Sequence, residues 1–179
     1  MNNWKYVVDS SAIIRRSKYQ CYDIDAFKNH WRNFDEMIKD GTIISTPQVQ
    51  MEIRAKNFEA LQWATDNELM FQLLRGPVIN ELNNLSSIFK EWYTIGHERK
   101  DVWADPEIIA FAKAYDLVIV TMEGWNVNSE EQNHSIPTIC EKLDGYVHIG
   151  DKYTTDVDKD TPFQCIDLLE FFKREEMYL

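Results

Sequence analysis

Short apolar segments rich in β-branched residues alternate along this chain with longer segments that have helical spacing. The residues between Asp25 and Lys39 show the helical pattern, because apolar side chains recur there at steps of three and four. Strands that alternate with helices of this length pair in parallel through right-handed crossovers. The sequence therefore predicts an α/β fold of three layers, α/β/α, with a mostly parallel central sheet. The predicted strands are residues 4–9, 42–45, 117–121 and, more weakly, 146–149.

The boundaries of the remaining helices are predicted from capping residues and from proline and glycine. Thr46-Pro47 and Asp105-Pro106 each place proline in a first helical turn. Gly76-Pro77 opposes helix continuation and predicts a turn that joins two helices within residues 55–95. The predicted helices run from Pro47 to at least Ile53, over the two halves of 55–95, and over 105–115, 136–143 and 163–173.

Length and composition fit one compact domain that spans residues 1–179, with 44% hydrophobic residues. The apolar runs are too short to cross a bilayer, so we expect a cytoplasmic protein with no membrane contact. The three cysteines are widely separated and form no CxxC pair, which argues against a disulfide scaffold or a structural zinc site. We expect them to be buried, reduced thiols.

The formal net charge of −11 opposes long-range attraction to a polyanion. It therefore disfavours a simple nucleic-acid-binding module. It does not exclude a nuclease, because an acidic site that recruits divalent cations needs a dense negative cluster, and bound cations reverse the local field. The charge also favours a basic partner segment.

Two acidic residues follow predicted parallel strands, at the sheet edge where ligands bind in open α/β folds. Asp9 ends the first strand, and Glu123 lies two residues past the strand 117–121. Asp105 begins the helix before that second strand, and Glu52 lies on the helix after strand 42–45. Only tertiary folding can bring these four side chains together.

If the four carboxylates converge, they repel one another unless a cation compensates their charge. Oxygen ligands of this kind suit Mg²⁺ or Mn²⁺, which activate water and stabilise a leaving oxygen in phosphodiester hydrolysis. Each acid also has a structural interpretation: Asp105 as a helix N-cap, Glu52 as a solvated helix residue and Glu123 as a loop acid. Asp9 is the hardest to explain structurally, because it stands directly between a buried strand and a helix.

Three segments together resemble the PIN domain, a nuclease family that includes toxins of bacterial toxin–antitoxin pairs. Residues 6–14, Tyr-Val-Val-Asp-Ser-Ser-Ala-Ile-Ile, resemble its first strand and first aspartate. Residues 46–53, Thr-Pro-Gln-Val-Gln-Met-Glu-Ile, resemble its proline-led helix with the second acid. Residues 104–123 resemble its third and fourth acids, and the subgroup with Ala-Asp-Pro, Val-Thr-x-Glu and Ile-Pro-x-x-Cys (136–140) is the most similar.

This resemblance implies a ribonuclease that depends on Mg²⁺ or Mn²⁺. It implies metal binding by Asp9, Glu52 and Asp105, assistance from Glu123, and hydrogen-bond support from Ser11 and Thr121. It also implies an RNA substrate, a role as the toxin of a type II toxin–antitoxin pair with an antitoxin partner, and a homodimer. The chain departs from the toxin pattern in having glutamate at the fourth acid and extra helix between the second and third acids. We expect the added methylene of Glu123 either to shift the second metal position or to weaken that site.

Basic residues follow two of the candidate ligands in the sequence, and we interpret Arg15, Arg16 and Arg54 as possible contacts to phosphates that flank the cleaved bond. Ordinary solvated charge is the alternative interpretation. Neither GxGxxG nor GxxxxGK[ST] occurs, which argues against dinucleotide-dependent oxidoreductases and P-loop enzymes.

Two other functions remain open at this point. One is a catalytically weak PIN-like protein that acts through protein contacts. The other is a different metal-dependent α/β phosphohydrolase with small-molecule substrates, although Asp9-Ser10-Ser11 lacks the Asp-x-Asp pair of aspartyl-phosphate enzymes.

Overall fold

The structure is a computed structural model that describes residues 2–18, 20–56 and 58–177. Its central sheet has six strands in the order β2-β1-β3-β6-β4-β5, and all neighbours are parallel except β4 and β5. The strands are β1 Tyr6–Val8, β2 Ile43–Ile44, β3 Val118–Val120, β4 Tyr146–Ile149, β5 Lys152–Tyr153 and β6 Gln164–Ile166.

Helices occupy both sides of this sheet. Their bounds are α1 Ser10–Ile14, α2 Lys28–Lys39, α3 Pro47–Lys56, α4 Phe58–Asp66, α5 Gly76–Ile88, α6 Lys90–Arg99, α7 Asp105–Tyr115, α8 Ile136–Lys142 and α9 Leu168–Arg174. On one face, Phe171 of α9 packs edge-on against Tyr6 of β1 and against Phe34 of α2. On the other face, α7 packs against β1 and β3, and α5 lies against α7. The fold is therefore a three-layer α/β/α fold, as the sequence predicts.

The strand order reverses around β1, which lies between β2 and β3. Tyr6 pairs with Ile43 on one side and with Val118 on the other. At a reversal of this kind, a crevice forms outside the carboxyl ends of the two neighbouring parallel strands, and the loops that leave these strands line it. The loops after β1 and β3 therefore meet at one edge of the sheet.

The chain end differs from its prediction. Residues 163–173 were expected to form one helix, but β6 occupies the first part and α9 begins only at Leu168. Apolar residues at helical spacing suggested the helix, whereas β6 has only three residues and all three are buried, so it shows no alternation of buried and exposed side chains. The Asp167 carboxylate accepts a hydrogen bond from the Glu170 N–H at 2.8 Å and so caps α9.

The long helical region also divides differently from its prediction. Gly76 does mark a boundary, because α5 begins there with Pro77 in its first turn. A further boundary lies at Phe89, where α5 ends and α6 begins, so residues 55–95 hold more than the two expected helices.

Cys140 and Cys165 are buried as expected, but Cys21 is exposed. Within the described ranges, no helix combines the length and the apolar character that a bilayer span needs.

Candidate active site

Asp9 lies at the carboxyl end of β1, where its backbone N–H donates to the Val120 carbonyl at 2.9 Å. It is 2% exposed and is the N-cap of α1, with its carboxylate accepting from the Ser10 N–H at 2.7 Å. The hydroxyls of Ser11 and Thr121 donate to Oδ2 at 2.5 and 3.1 Å. The carboxylate is therefore held in one orientation at the crevice between β1 and β3.

The loop after β3 is tied to the same hydroxyl groups. The Met122 N–H donates to the Ser11 hydroxyl at 2.9 Å, and the Glu123 N–H donates to the Thr121 hydroxyl at 3.1 Å. Ser11 and Thr121 thus connect Asp9 to the segment that carries Glu123. This is the position that the sequence prediction gives them.

Glu52 is 4% exposed on α3, which argues against its interpretation as a solvated helix residue. Its Oε1 accepts a hydrogen bond from the Ala104 N–H at 3.1 Å, and its Oε2 accepts one from the Ser10 hydroxyl. The carboxylate therefore joins the start of α1 to the residue that precedes Asp105. Sequence reasoning did not identify Ser10, whose buried hydroxyl carries this link.

Asp105 is the first residue of α7 and is 6% exposed. The N-cap of this helix is Ala104, so Asp105 is not the capping residue that its local pattern suggested. Burial raises the pKa of Asp105 to about 6, and the nearby Lys100 ammonium opposes that rise. Lys100 Nζ lies 3.8 Å from Asp105 Oδ2, so the carboxylate has a partly exposed cation at its side.

Glu123 is half-buried in the loop after β3, and its Oε2 accepts from the Ile136 N–H at the start of α8 at 2.8 Å. Burial raises the pKa of Glu123 to about 8, with further increases from the charges of Asp105 and Asp9. The Glu123 carboxylate is therefore bonded to the start of α8 and also interacts electrostatically with Asp9 and Asp105.

The four acids share one electrostatic environment. Burial raises the pKa of Asp9, and the charge of Glu52 adds to that rise. Asp9 and Glu52 both raise the pKa of Asp105. Four sequence-distant carboxylates are thus brought into one desolvated region, which is the convergence that the strand positions predict.

The carboxylates are turned toward protein donors rather than toward a common point. Among the residues that the structure describes, no three Asp, Glu, His or Cys side chains form a ready-made metal site. Glu52 and Glu123 accept the hydrogen bonds given above, which is the expected arrangement for like charges that avoid one another. The chemistry of the donor set nevertheless fits a hard divalent cation, because it consists of buried oxygens that destabilise one another when charged.

The candidate phosphate contacts fall in different environments. Arg16 is 7% exposed, pairs with Asp35 at 3.1 Å, and lies 4.4 Å from the Trp63 ring and 5.2 Å from the Trp31 ring. Its guanidinium therefore packs the segment after α1 against α2 and α4 and is not free to contact a phosphate. Arg15 donates to the Gln20 amide oxygen at 3.1 Å, and Arg54 is exposed on α3.

A cavity of about 290 Å³ adjoins two of the acids, Asp105 and Glu123. Its other walls include Lys100 and Trp103, neither of which sequence reasoning identified. The position of Lys100 five residues before Asp105 was the available signal. Two other depressions, of about 390 and 480 Å³, are lined by none of the four acids.

A family model described as "Domain of unknown function (DUF4411)" matches residues 6–149, the part of the chain that contains all four acids. No curated protein matches the sequence. Among solved structures, the chain is similar to PAE2754 from Pyrobaculum aerophilum, with 15% sequence identity and a TM-score of 0.36. That similarity covers 78% of this chain and 96% of PAE2754, and it is too weak to bear on function.

Replacement of Arg16 by methionine is expected to lower the free energy of unfolding by roughly 1–3 kcal/mol, because it removes one partner of a largely buried ion pair. The exposed Arg54→Met variant is the matched control and is expected to change stability by less than about 0.5 kcal/mol. Urea denaturation measures both. Equal stability of the two variants would contradict the buried position of Arg16.

The raised pKa of Glu123 predicts that stability falls as pH rises in the absence of divalent cations. Between pH 4.5 and about 8, the Glu123 carboxyl keeps its proton in the folded protein but loses it in the unfolded chain. Protonated Glu123 therefore contributes its full stabilisation below pH 4.5, and this stabilisation is lost as the pH rises through about 8. Denaturation in chelator at pH 5, 6.5 and 8 should show this decline. The Glu123→Gln variant should show a shallower one, and an unchanged pH slope in that variant would refute the assignment.

Proposed function

Because the chain belongs to the DUF4411 family, described as a domain of unknown function, we propose its activity from the site itself: it is a metal-dependent ribonuclease of the PIN-domain kind. One observation carries the proposal. Carboxylates from four separate segments of the chain, three of them buried and that of Glu123 half-buried, interact electrostatically beside the carboxyl ends of β1 and β3. A fold gathers that much unfavourable charge at a ligand-binding edge when the charge serves a bound cation.

The burial of these acids is costly without a counter-ion. Removing a carboxylate from water disfavours its charged form, and neighbouring carboxylates disfavour it further. The basic group recorded beside Asp105 is Lys100, at 3.8 Å and half exposed, which is a weak compensation for four acids. A divalent cation at this point supplies two positive charges and lowers the pKa of every ligand around it.

Mg²⁺ or Mn²⁺ suits this all-oxygen donor set. Asp9 and Asp105 would hold the ion, with Glu52 and Glu123 completing the negative charge around it. When bound, such an ion supplies an activated water and stabilises the leaving 3′-oxygen of a phosphodiester. The hydroxyls of Ser11 and Thr121 would keep Asp9 oriented toward the ion, because both already donate to its Oδ2.

The substrate class follows from the resemblance to the PIN domain and from the shape of the site. A cation in the crevice provides local attraction for a phosphate that the net charge of −11 does not provide at long range. We extend the proposal to a role as the toxin of a type II toxin–antitoxin pair. The acidic net charge supports this role, because it complements the basic antitoxin segment that such a role requires. A homodimer is also part of this proposal.

The activity is tested with purified protein and labelled RNA. Wild-type protein is expected to cleave RNA with Mn²⁺ or Mg²⁺ and to stop when EDTA is added. Asp9→Asn should slow cleavage at least about a hundredfold, since it weakens the electrostatic centre of the site. Asp160→Asn, the same substitution at an exposed position, is the matched control and should retain wild-type activity.

Three other results would contradict the proposal in different ways. Cleavage that survives Asp9→Asn would remove Asp9 from the site. Hydrolysis of simple phosphate monoesters without cleavage of RNA would indicate a small-molecule phosphohydrolase. Absence of both activities, together with capture of a defined protein partner, would indicate a protein that acts through contacts alone.

A further inference from the structure

We propose that the cavity beside Asp105 and Glu123 is a subsite for one nucleotide of a single-stranded RNA, with Lys100 and Arg99 binding the phosphate next to the cleaved bond. This inference rests on the proposed ribonuclease function and specifies the form of its substrate. It also assigns the phosphate contact to Arg99 and Lys100, which were not predicted from the sequence, in place of Arg16, which is buried elsewhere.

The cavity has two walls of opposite charge. Asp105 and Glu123 line one part of it, and Arg99 and Lys100 line another. In a chain with eleven excess negative charges, two consecutive cations at a cavity that adjoins the acids are a specific local feature. A polynucleotide matches this pattern, because its scissile phosphate can approach the acids through a cation while the adjacent phosphate contacts the basic wall.

Arg99 is available for a phosphate group. Its guanidinium donates to the Asn133 and Gln132 amide oxygens at 3.4 and 3.3 Å, and both partners are neutral. Among the described residues, no carboxylate forms an ion pair with it. Its charge is therefore positioned by α6 and the segment opposite without being neutralised.

Lys100 is held between the acids and an aromatic wall. Its ammonium lies 3.8 Å from Asp105 Oδ2 and 5.3 Å from the centre of the Trp103 ring. The side chain is 50% exposed, so the ammonium can turn from Asp105 to an incoming phosphate when a cation takes over the carboxylate.

Trp103 forms a rigid wall of the cavity. Its ring packs so closely on Gly96 that a Cβ there would lie 2.2 Å from the indole, which fixes glycine at this position. Trp92 and His97 pack edge-on against it at ring distances of 4.7 and 5.2 Å. A wall fixed on several sides favours a preformed subsite over one that forms on binding.

The indole N–H of Trp103 gives this cavity a reporter. It is buried and has no hydrogen-bond partner among the described residues, although it lies close enough to Asp105 to lower the pKa of that carboxyl. The indole N–H groups of Trp31, Trp63, Trp92 and Trp125 donate to Tyr22, Asp35, His134 and Glu141. The Trp103 signal should therefore respond to a change at this cavity more than the signals of those four.

The size of the cavity restricts the substrate. A volume of about 290 Å³ is near the lower end of the range for ligand pockets, roughly 300–1,000 Å³. Besides the two acids, the lining of the cavity includes residues of α6 and of the segment 132–135. A single nucleotide unit fits such a space, whereas a base that remains paired in a duplex brings its complement with it and does not.

Binding is tested by fluorescence anisotropy with a labelled ten-nucleotide single-stranded RNA, in the Asp9→Asn background so that no cleavage interferes. Lys100→Gln should lower the salt dependence of binding by about 0.7 in log K per log salt, which is about fourfold in affinity at 0.15 M salt. Arg99→Gln should act in the same direction. Lys90→Gln, at the opposite end of the same helix, is the matched control and should leave affinity and slope unchanged.

The Trp103 indole signal is followed by ¹⁵N–¹H NMR of the Asp9→Asn protein in Mg²⁺, with the same RNA as the probe and Trp103→Phe used only for assignment. The signal should shift with the single strand and not with its duplex. No shift, or equal affinity of Lys100→Gln and Lys90→Gln, would overturn the subsite even if the protein cleaves RNA. Lys100-dependent binding with no cleavage under any metal would retain the subsite and refute the ribonuclease proposal.

Discussion

The unfavourable burial of like charges at the ends of β1 and β3 governs the arrangement of this molecule. Burial and the charges of neighbouring carboxylates raise the pKa of Asp9, Asp105 and Glu123, and the buried Glu52 contributes to this effect at Asp9 and Asp105. The chain supports them with hydroxyl and amide donors, which are Ser10, Ser11, Thr121, and the N–H groups of Ala104 and Ile136. These hydrogen bonds lower the free-energy cost of burying the carboxylates but do not neutralise their negative charge. In our proposal, a divalent cation compensates the charge that remains.

The surrounding fold fixes where those donors stand. The neighbouring positions of β1 and β3 bring Asp9 and Thr121 into contact, because residues that directly follow paired parallel strands emerge side by side. Glu52 then connects the start of α1 to the start of α7 through one carboxylate. Asp9, Glu52 and Asp105 therefore stand at the ends of regular elements or within them, and hydrogen bonds to Thr121 and Ile136 hold the loop that carries Glu123. This is the arrangement that a preorganised catalytic site requires. In the proposed ribonuclease, the acidic crevice and the basic residues of the adjoining cavity would bind successive phosphates of the substrate strand.

The sequence predicted those parts of the structure that depend on local pattern. The strands that end near Asp9 and Glu123 are rich in β-branched residues, and the rule that ligands bind at strand ends selected these two acids, whose charges interact in the folded chain. The hydrophobic pattern failed to predict β6, because a fully buried strand lacks the alternation of buried and exposed residues that distinguishes a strand from a helix. Position in the sequence misled for Arg16, which follows Asp9 closely but is turned toward Trp63 by tertiary packing. Ser10 could not be selected, because its role depends on Glu52, 42 residues away, which only the folded chain brings to it. Lys100 lies only five residues before Asp105, and this proximity in sequence could have indicated it.

The most direct test of the shared cation site is anomalous diffraction from a crystal of the protein soaked in Mn²⁺. The account predicts an anomalous peak between the carboxylates of Asp9 and Asp105, with ligand distances of about 2.0–2.3 Å to at least one of them. A Mn²⁺ peak elsewhere at full occupancy, with Asp9 and Asp105 still bonded only to protein groups, would contradict it.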